Sequence, residues 1–135
     1  MKKIFFLAAV VLFMACNNSK SSEPKTAMDV GRSFIRASLD GNFKHAEPLL
    51  LKDEENAALF ESYKRSYQKL SENKREAYKA ASYNINKMED PNDSTSIINY
   101  SNSFMNKPME IKLVYQNGQW LVDFKYTFSG NLPIE

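Results

Sequence analysis

The segment MEIKLVYQNGQWLVDFKY, residues 109–126, contains an Asn-Gly pair flanked by alternating apolar and polar residues. Asn117-Gly118 is the preferred dipeptide for a two-residue type I′ hairpin. Counting outward from this loop pairs apolar residues on one face: Tyr115 with Trp120, Leu113 with Val122, Ile111 with Phe124, and Met109 with Tyr126. The other face pairs opposite charges: Lys112 with Asp123, and Glu110 with Lys125. A shift of one residue destroys both patterns, so the sequence predicts a hairpin with one apolar face.

The same counting extends upstream to two further turns. A turn at Asn106-Lys107 pairs Tyr100 with Leu113, and a turn at Pro91-Asn92 pairs Ile85 with Ile98. The sequence therefore predicts a four-stranded antiparallel meander. Its predicted inner face consists of Tyr83, Ile85, Ile98, Tyr100, Phe104, Met109, Ile111, Leu113, Tyr115, Trp120, Val122, Phe124 and Tyr126. Its predicted outer face consists of Ser101, Glu110, Lys112, Asp123 and Lys125.

Helical spacing of apolar residues dominates before residue 83. Thr26 is expected to cap a first helix that stops at Gly41. Asn42 is expected to cap a short second helix, and Asp53 to start a long third helix that bends or breaks near Ser71 to Asn73. The predicted apolar face of the third helix consists of Leu59, Tyr63, Tyr67, Leu70, Ala77 and Ala81. Because a one-sided sheet needs a cover, the predicted fold is α+β, with three N-terminal helices packed on one face of the curved sheet.

The first residues are expected to be a signal peptide. Lys2 and Lys3 precede an apolar run from Ile4 to Ala15, which is too short to cross a bilayer as a helix. Leu12, Phe13, Met14, Ala15 and Cys16 resemble the lipobox of bacterial lipoproteins. That resemblance implies lipidation of Cys16 with diacylglycerol and a further acyl chain such as palmitate, and cleavage before Cys16. A simple secreted protein with a free thiol is the alternative.

Cleavage would also change the charge. The full chain carries a formal net charge of +2, and removal of residues 1–15 takes away Lys2 and Lys3, which leaves 0. No long-range field then attracts nucleic acid, so we expect no nucleic-acid partner. With one cysteine, the chain forms no internal disulfide.

The predicted organisation has four parts. Residues 1–15 are the signal peptide, 16–25 a polar tether, 26–128 the α+β domain and 129–135 a C-terminal tail. The tether contains a single acidic residue, Glu23. Surface-exported lipoproteins of Bacteroidota tend to carry an acidic cluster there. We therefore expect anchoring in the cell envelope, at the outer membrane and facing the periplasm.

Helices followed by a meander ending in IKLVYQNGQWLVDFKY, residues 111–126, resemble the nuclear transport factor 2-like (cystatin-like) superfamily. The segment FIRASLDGNFKHAEPLL, residues 34–50, contributes to the likeness, which covers residues 26–128. Small bacterial lipoproteins with such a domain of unknown function are the most similar group. The resemblance implies a cone-shaped pocket between sheet and helices. These motifs are packing motifs and identify no function.

The sequence argues against catalysis. Enzymes of this superfamily usually place an acid, base or His in the pocket, and the predicted inner face has none. The only histidine, His45, has no evident partner and is expected at the surface. No metal ligand set and no cofactor are predicted.

The segment Asp90 to Thr95 has oxygen ligands at close spacing, but it lacks the glycine and distal Glu of a calcium loop. We interpret it as a turn. Asp93-Ser94-Thr95 also resembles a short O-glycosylation site of Bacteroidota, which makes Ser94 a candidate for modification.

Six of the seven tyrosines fall on predicted inward faces, and their hydroxyl groups need partners. The partners are either neighbouring core groups or a bound ligand. The candidate ligand pocket consists of Tyr63, Tyr67, Tyr100, Asn102 and Tyr126.

The leading hypothesis is a lipid-anchored, non-catalytic envelope protein that binds a partner protein or a small apolar ligand, and a homodimer is compatible with it. The alternatives are a pocket enzyme of the isomerase or hydrolase type and a purely structural envelope component.

Overall fold

The computed structural model describes residues 26–131. Four α-helices precede a four-stranded antiparallel sheet of order β1-β2-β3-β4, and a fifth helix follows it. The α+β class and the meander are as predicted. The elements are α1 (Ala27–Asp40), α2 (Phe43–Ala46), a 3₁₀ turn (Glu47–Leu49), α3 (Glu54–Lys69), α4 (Glu72–Ala80), β1 (Tyr83–Asn92), β2 (Thr95–Asn102), β3 (Pro108–Gln116), β4 (Gln119–Asp123) and α5 (Phe124–Asn131). In this part of the chain no helix is long and apolar enough to cross a membrane.

The predicted helix ends are confirmed where side chains define them. Thr26 and Asp29 form a capping box at the start of α1. Gly41 ends the helix with a φ of 67°, a left-handed conformation that glycine adopts without strain. The side chains of Asn42 and Asp53 accept hydrogen bonds from the first turns of α2 and α3.

The predicted third helix is divided into α3 and α4, at the position where a bend or break was expected. Ser71 caps α4 through a hydrogen bond from the Lys74 amide, 3.3 Å long. The break resets the helical phase, so the face predicted beyond it is wrong at Ala77, whereas Ala81, which follows α4, is buried as predicted. Ala77 is exposed there, and Tyr78 is buried instead.

The hairpin between β3 and β4 has the predicted register as far as Lys112 and Asp123. Asn117 and Gly118 have φ values of 52° and 79°, as a type I′ turn requires. The pairs predicted farther out are wrong, because the chain turns into α5 at Phe124. Asn56 of α3 holds this turn: its Oδ1 accepts a hydrogen bond from the Lys125 amide, 2.9 Å long.

Both upstream registers were predicted wrongly. Tyr100 pairs with Met109 rather than Leu113, because Asn102 starts the β2–β3 turn by accepting hydrogen bonds from the amides of Phe104 and Met105. Ile85 pairs with Tyr100, and Asp93-Ser94 rather than Pro91-Asn92 forms the β1–β2 turn. The partner differs from the prediction by four residues at Tyr100 and by two residues at Ile85. Because both differences are even, the same side chains stay on the predicted inner face. Ile98, Tyr100, Met109, Ile111, Leu113 and Val122 are all buried on it.

Helix α1 lies directly on this inner face. A Cβ atom added at Gly31 would come within 2.5 Å of the Ile98 Cδ1 and 3.3 Å of the Ile111 Cδ1. Beside it, Phe34, Phe60 and Phe124 pack edge to face or tilted, with ring centroids 5.3 to 6.3 Å apart. The core is therefore an aromatic layer between the helices and the sheet.

The edge of the sheet formed by β4 is partly covered by the chain after the 3₁₀ turn. Leu50 forms a parallel bridge with Val122, and the Leu51 amide donates to the Val122 carbonyl at 2.9 Å. This contact brings residues 50–53 alongside β4.

Replacing Asn56 tests the link between α3 and α5. Asn56 is fully buried, and Asn56→Ala leaves the Lys125 amide without its acceptor. We expect the free energy of unfolding to fall by about 1–3 kcal/mol, measured by urea denaturation. Asn73→Ala, at an exposed position of α4, is the control. A loss below about 0.5 kcal/mol, the range of surface substitutions, would show that Asn56 does not hold this turn.

Candidate functional site

A cleft of about 110 Å³ opens between the 3₁₀ turn and α3. Its apolar part is Leu50, Leu51, Ala57 and Phe60, and Leu50 and Phe60 also belong to the core. The cleft exists because the bridge from Leu50 to β4 holds the incoming chain beside the first turns of α3.

Charged side chains surround this cleft, which we call the Leu50–Phe60 cleft. Glu47, Lys52, Asp53 and Glu61 line it. Lys64 forms ion pairs with Glu61 and with Glu47, the latter 3.6 Å long. The cleft thus combines an apolar floor with a rim of positively and negatively charged side chains.

Asp53 is fixed in its ionised form. Its Oδ1 and Oδ2 accept hydrogen bonds from the backbone amide and the side-chain amide of Asn56, at 2.8 and 2.7 Å. These bonds, with a smaller contribution from Lys125, lower the pKa of the Asp53 carboxyl. Asp53 therefore supports the cleft as a helix cap and a negative charge.

The structure brings three of the predicted pocket residues together. Tyr63, Tyr67 and Tyr100 are buried in the core, together with Tyr78, which the sequence analysis had not assigned to any site. Burial raises the pKa of all four phenols, most strongly those of Tyr63 and Tyr100. All four are protonated at neutral pH.

The Tyr63 hydroxyl is notable because it is buried with little hydrogen bonding. Neither it nor the Ser38 Oγ has a hydrogen-bond partner of regular geometry among residues 26–131. The two hydroxyls are close enough for Ser38 to offset a small part of the pKa rise of Tyr63. The Tyr67 hydroxyl makes a long bond, 3.5 Å, to the Leu39 carbonyl.

The other two predicted pocket residues lie elsewhere. Asn102 lines a polar groove at one end of the sheet, and its Oδ1 is used in the β2–β3 turn. Tyr126 was predicted on the inner face, but the turn into α5 carries it to the outer face. There its hydroxyl donates to the Glu110 Oε2 at 2.9 Å, a bond that raises the pKa of Tyr126.

The remaining candidates are at the surface. His45 is exposed and lines a shallow groove with Arg36 and Asp40. Ser94 is exposed in the β1–β2 turn, where its Oγ donates to the Asn92 Oδ1 at 3.0 Å. Cys16 lies outside the described residues. Between residues 26 and 131 no group of three or more His, Cys, Asp or Glu side chains is arranged to hold a metal ion.

The sequence analysis missed the Leu50–Phe60 cleft. The signal present was the run Leu49-Leu50-Leu51, which has more apolar residues than a link between two helices requires. A comparison of this chain with protein families, with curated proteins and with solved structures finds no match.

The buried tyrosines predict a pH dependence of stability. Below pH 10, the ordinary pKa, tyrosines are protonated in the folded and unfolded chain. Above it the unfolded chain ionises while Tyr63 and Tyr100 do not, so stability falls as pH rises. We expect Tyr100→Phe to make this fall shallower in urea denaturation between about pH 10 and pH 11. The same slope in the variant and the wild type would contradict the assignment.

Proposed function

We propose that this protein is a lipid-anchored, non-catalytic component of the cell envelope whose domain binds a partner protein at the Leu50–Phe60 cleft. The anchor is the lipid on Cys16, in the outer membrane and facing the periplasm. The proposal for the anchor is supported by the order of a basic start, a short apolar run and a lipobox-like segment at residues 12–16.

The order of the elements supports the resemblance to the nuclear transport factor 2-like superfamily. Helices come first, and the antiparallel meander packs its apolar face against them. We propose membership of this superfamily on that architecture. The superfamily contains both enzymes and binding modules, so the function is argued from the site.

At this cleft, the size favours a side chain of a protein partner over a small molecule, and this is the observation that carries the proposal. Pockets for drug-sized ligands measure about 300 to 1,000 Å³. The Leu50–Phe60 cleft, at about 110 Å³, has room for roughly one aliphatic side chain. Its charged rim suits the polar border that surrounds such an anchor in a protein interface.

The ionisable groups at the two candidate sites support a non-catalytic role. A general acid or base works best with a pKa near the working pH. The pKa of the Asp53 carboxyl is lowered, and the pKa values of the buried tyrosine phenols are raised. Both changes move the pKa farther from neutral pH. Neither the Asp53 carboxyl nor the Tyr63 and Tyr100 phenols therefore exchange a proton easily at neutral pH.

Binding of a small apolar ligand in the core is the second candidate. Tyr63 and Ser38 favour it, since an unpartnered buried hydroxyl is costly and a ligand carbonyl would satisfy it. Native mass spectrometry of protein purified from envelopes tests it. A bound small molecule that is lost in Tyr63→Phe would favour this candidate over the first.

Filling the cleft tests the partner proposal. Ala57 and Ala58 are both exposed on α3, but only Ala57 lines the cleft. We expect Ala57→Trp to reduce the amount of partner recovered by crosslinking in intact envelopes at least tenfold, because the indole occupies the cleft. Ala58→Trp is the matched control and retains the partner. Equal recovery with both variants would exclude the cleft as the binding site.

The mass of the mature protein tests the anchor. We expect the chain to start at Cys16 and to carry diacylglycerol and a further acyl chain, and Cys16→Ser to abolish membrane association. A free thiol on Cys16 would overturn the proposal. The same spectrum tests the modification of Ser94, because a mass equal to polypeptide plus lipid excludes a glycan there.

A further inference from the structure

One end of the sheet carries an exposed aromatic pair. Tyr115 and Trp120 face each other across the β3–β4 hairpin, with ring centroids 5.3 Å apart. Tyr115 is 45% exposed, and Trp120 is partly buried against the core. Between residues 26 and 127 the only exposed large apolar side chains are Tyr115 and, at 36%, Met88 of the edge strand β1.

The hairpin that carries this pair is uncharged. The hairpin segment LVYQNGQWLV, residues 113–122, contains no charged residue, in a chain where 25% of residues are charged. The neighbouring β1–β2 turn is joined to it, since the Tyr115 amide donates to the Ser94 carbonyl at 2.8 Å. That turn carries Asp93 but no lysine or arginine.

Helix α1 runs toward the same end of the sheet when it is followed from its C-terminus to its N-terminus. Arg36, near its C-terminal end, donates to the Ala81 carbonyl at 2.9 Å, just before β1 begins. At mid-helix, Gly31 lies over Ile98, Ile111 and Leu113. The direction from Arg36 to Gly31 therefore leads away from the start of β1 and toward the end of the sheet that carries Tyr115 and Trp120, and α1 begins about one turn beyond Gly31, at Ala27.

The position of Cys16 then brings this end close to the bilayer. Nine residues separate Cys16 from Thr26, the cap of α1. Even fully extended, this segment spans at most about 35 Å. A domain of about 100 residues has a radius of gyration near 13 Å, so α1 starts within about one domain diameter of the headgroups.

We propose that the Tyr115–Trp120 end of the sheet is a membrane-contacting surface that docks on zwitterionic phospholipid headgroups. Tyrosine and tryptophan side chains favour the interface between headgroups and acyl chains, where the ring is buried and the polar tip is hydrated. The hairpin and the β1–β2 turn carry no basic residue, and the turn carries Asp93, so these segments suit a neutral surface better than an anionic one. Because the anchor holds the domain at the membrane, even a weak contact is well populated.

This proposal rests on the proposed anchor at Cys16, and the test separates the two. Cys16 is the only cysteine. In a chain produced from residue 16 onward without the signal peptide its thiol is free, so a maleimide-bearing phospholipid couples this chain to phosphatidylcholine vesicles whatever the lipidation in the cell. Trp120 is the only tryptophan, so its fluorescence reports on this surface alone.

We expect brominated phosphatidylcholine to quench Trp120 in the coupled protein, and a fraction of anionic lipid to reduce the quenching. Tyr115→Ser should reduce the quenching at least twofold, whereas Met88→Ser, the matched exposed position, should leave it unchanged. Circular dichroism checks that both variants fold.

The proposal is overturned if the brominated lipid does not quench Trp120, or if it quenches Trp120 in the Tyr115→Ser variant as strongly as in the wild type. A Trp120 emission that shifts with protein concentration in the absence of lipid would also overturn it, because the surface would then bind a second copy of the chain. A glycan found on Ser94 would count against the proposal too, since it would stand between this end and the headgroups.

Discussion

At Gly31, α1 approaches β2 and β3 so closely that the hydrogen atom of glycine is the only side chain that fits without movement of Ile98. The sheet has one apolar face, and this contact is what covers it. The C-terminal half of α1 is then tied to the start of β1 through Arg36, which donates to the carbonyls of Lys79 and Ala81.

This close approach also determines where binding can occur. Phe34 of α1, Phe60 of α3 and Phe124 of α5 fill the layer beside the helix with large rings in contact. The apolar cleft therefore lies at the edge of that layer, where the chain passes from the 3₁₀ turn to α3 and Phe60 forms its floor. Our functional proposal follows from this position, since a cleft at the rim is accessible to a protein surface.

Local sequence signals predicted the local structure well. The caps at Thr26, Asn42 and Asp53 and the turn at Asn117-Gly118 depend on neighbouring residues, and all four were predicted correctly. The upstream registers depend on loop conformation, and there the Asn102 side chain started a turn that pattern counting did not anticipate.

The errors at the candidate site have a long-range cause. Tyr126 was placed in the wrong layer because Asn56, 69 residues before Lys125, holds the turn into α5. The Leu50–Phe60 cleft was missed for a similar reason, since it depends on the bridge between Leu50 and Val122. The spacing of residues within one segment does not indicate such contacts between distant segments. Tyr63, Tyr67 and Tyr100 were found because their burial follows directly from helix and strand spacing.

The two proposed surfaces are compatible because they lie toward different ends of β4. The aromatic pair is next to Gln119, where β4 begins, whereas Leu50 meets β4 at Val122, near its end. Trp120 is two residues from Val122, which is about 7 Å along the strand. The first turn of α3 lies farther still from the hairpin, since Asp53 is within 3.5 Å of Lys125, which follows β4. A domain resting on the bilayer through Tyr115 and Trp120 would thus leave the Leu50–Phe60 cleft accessible to a protein partner.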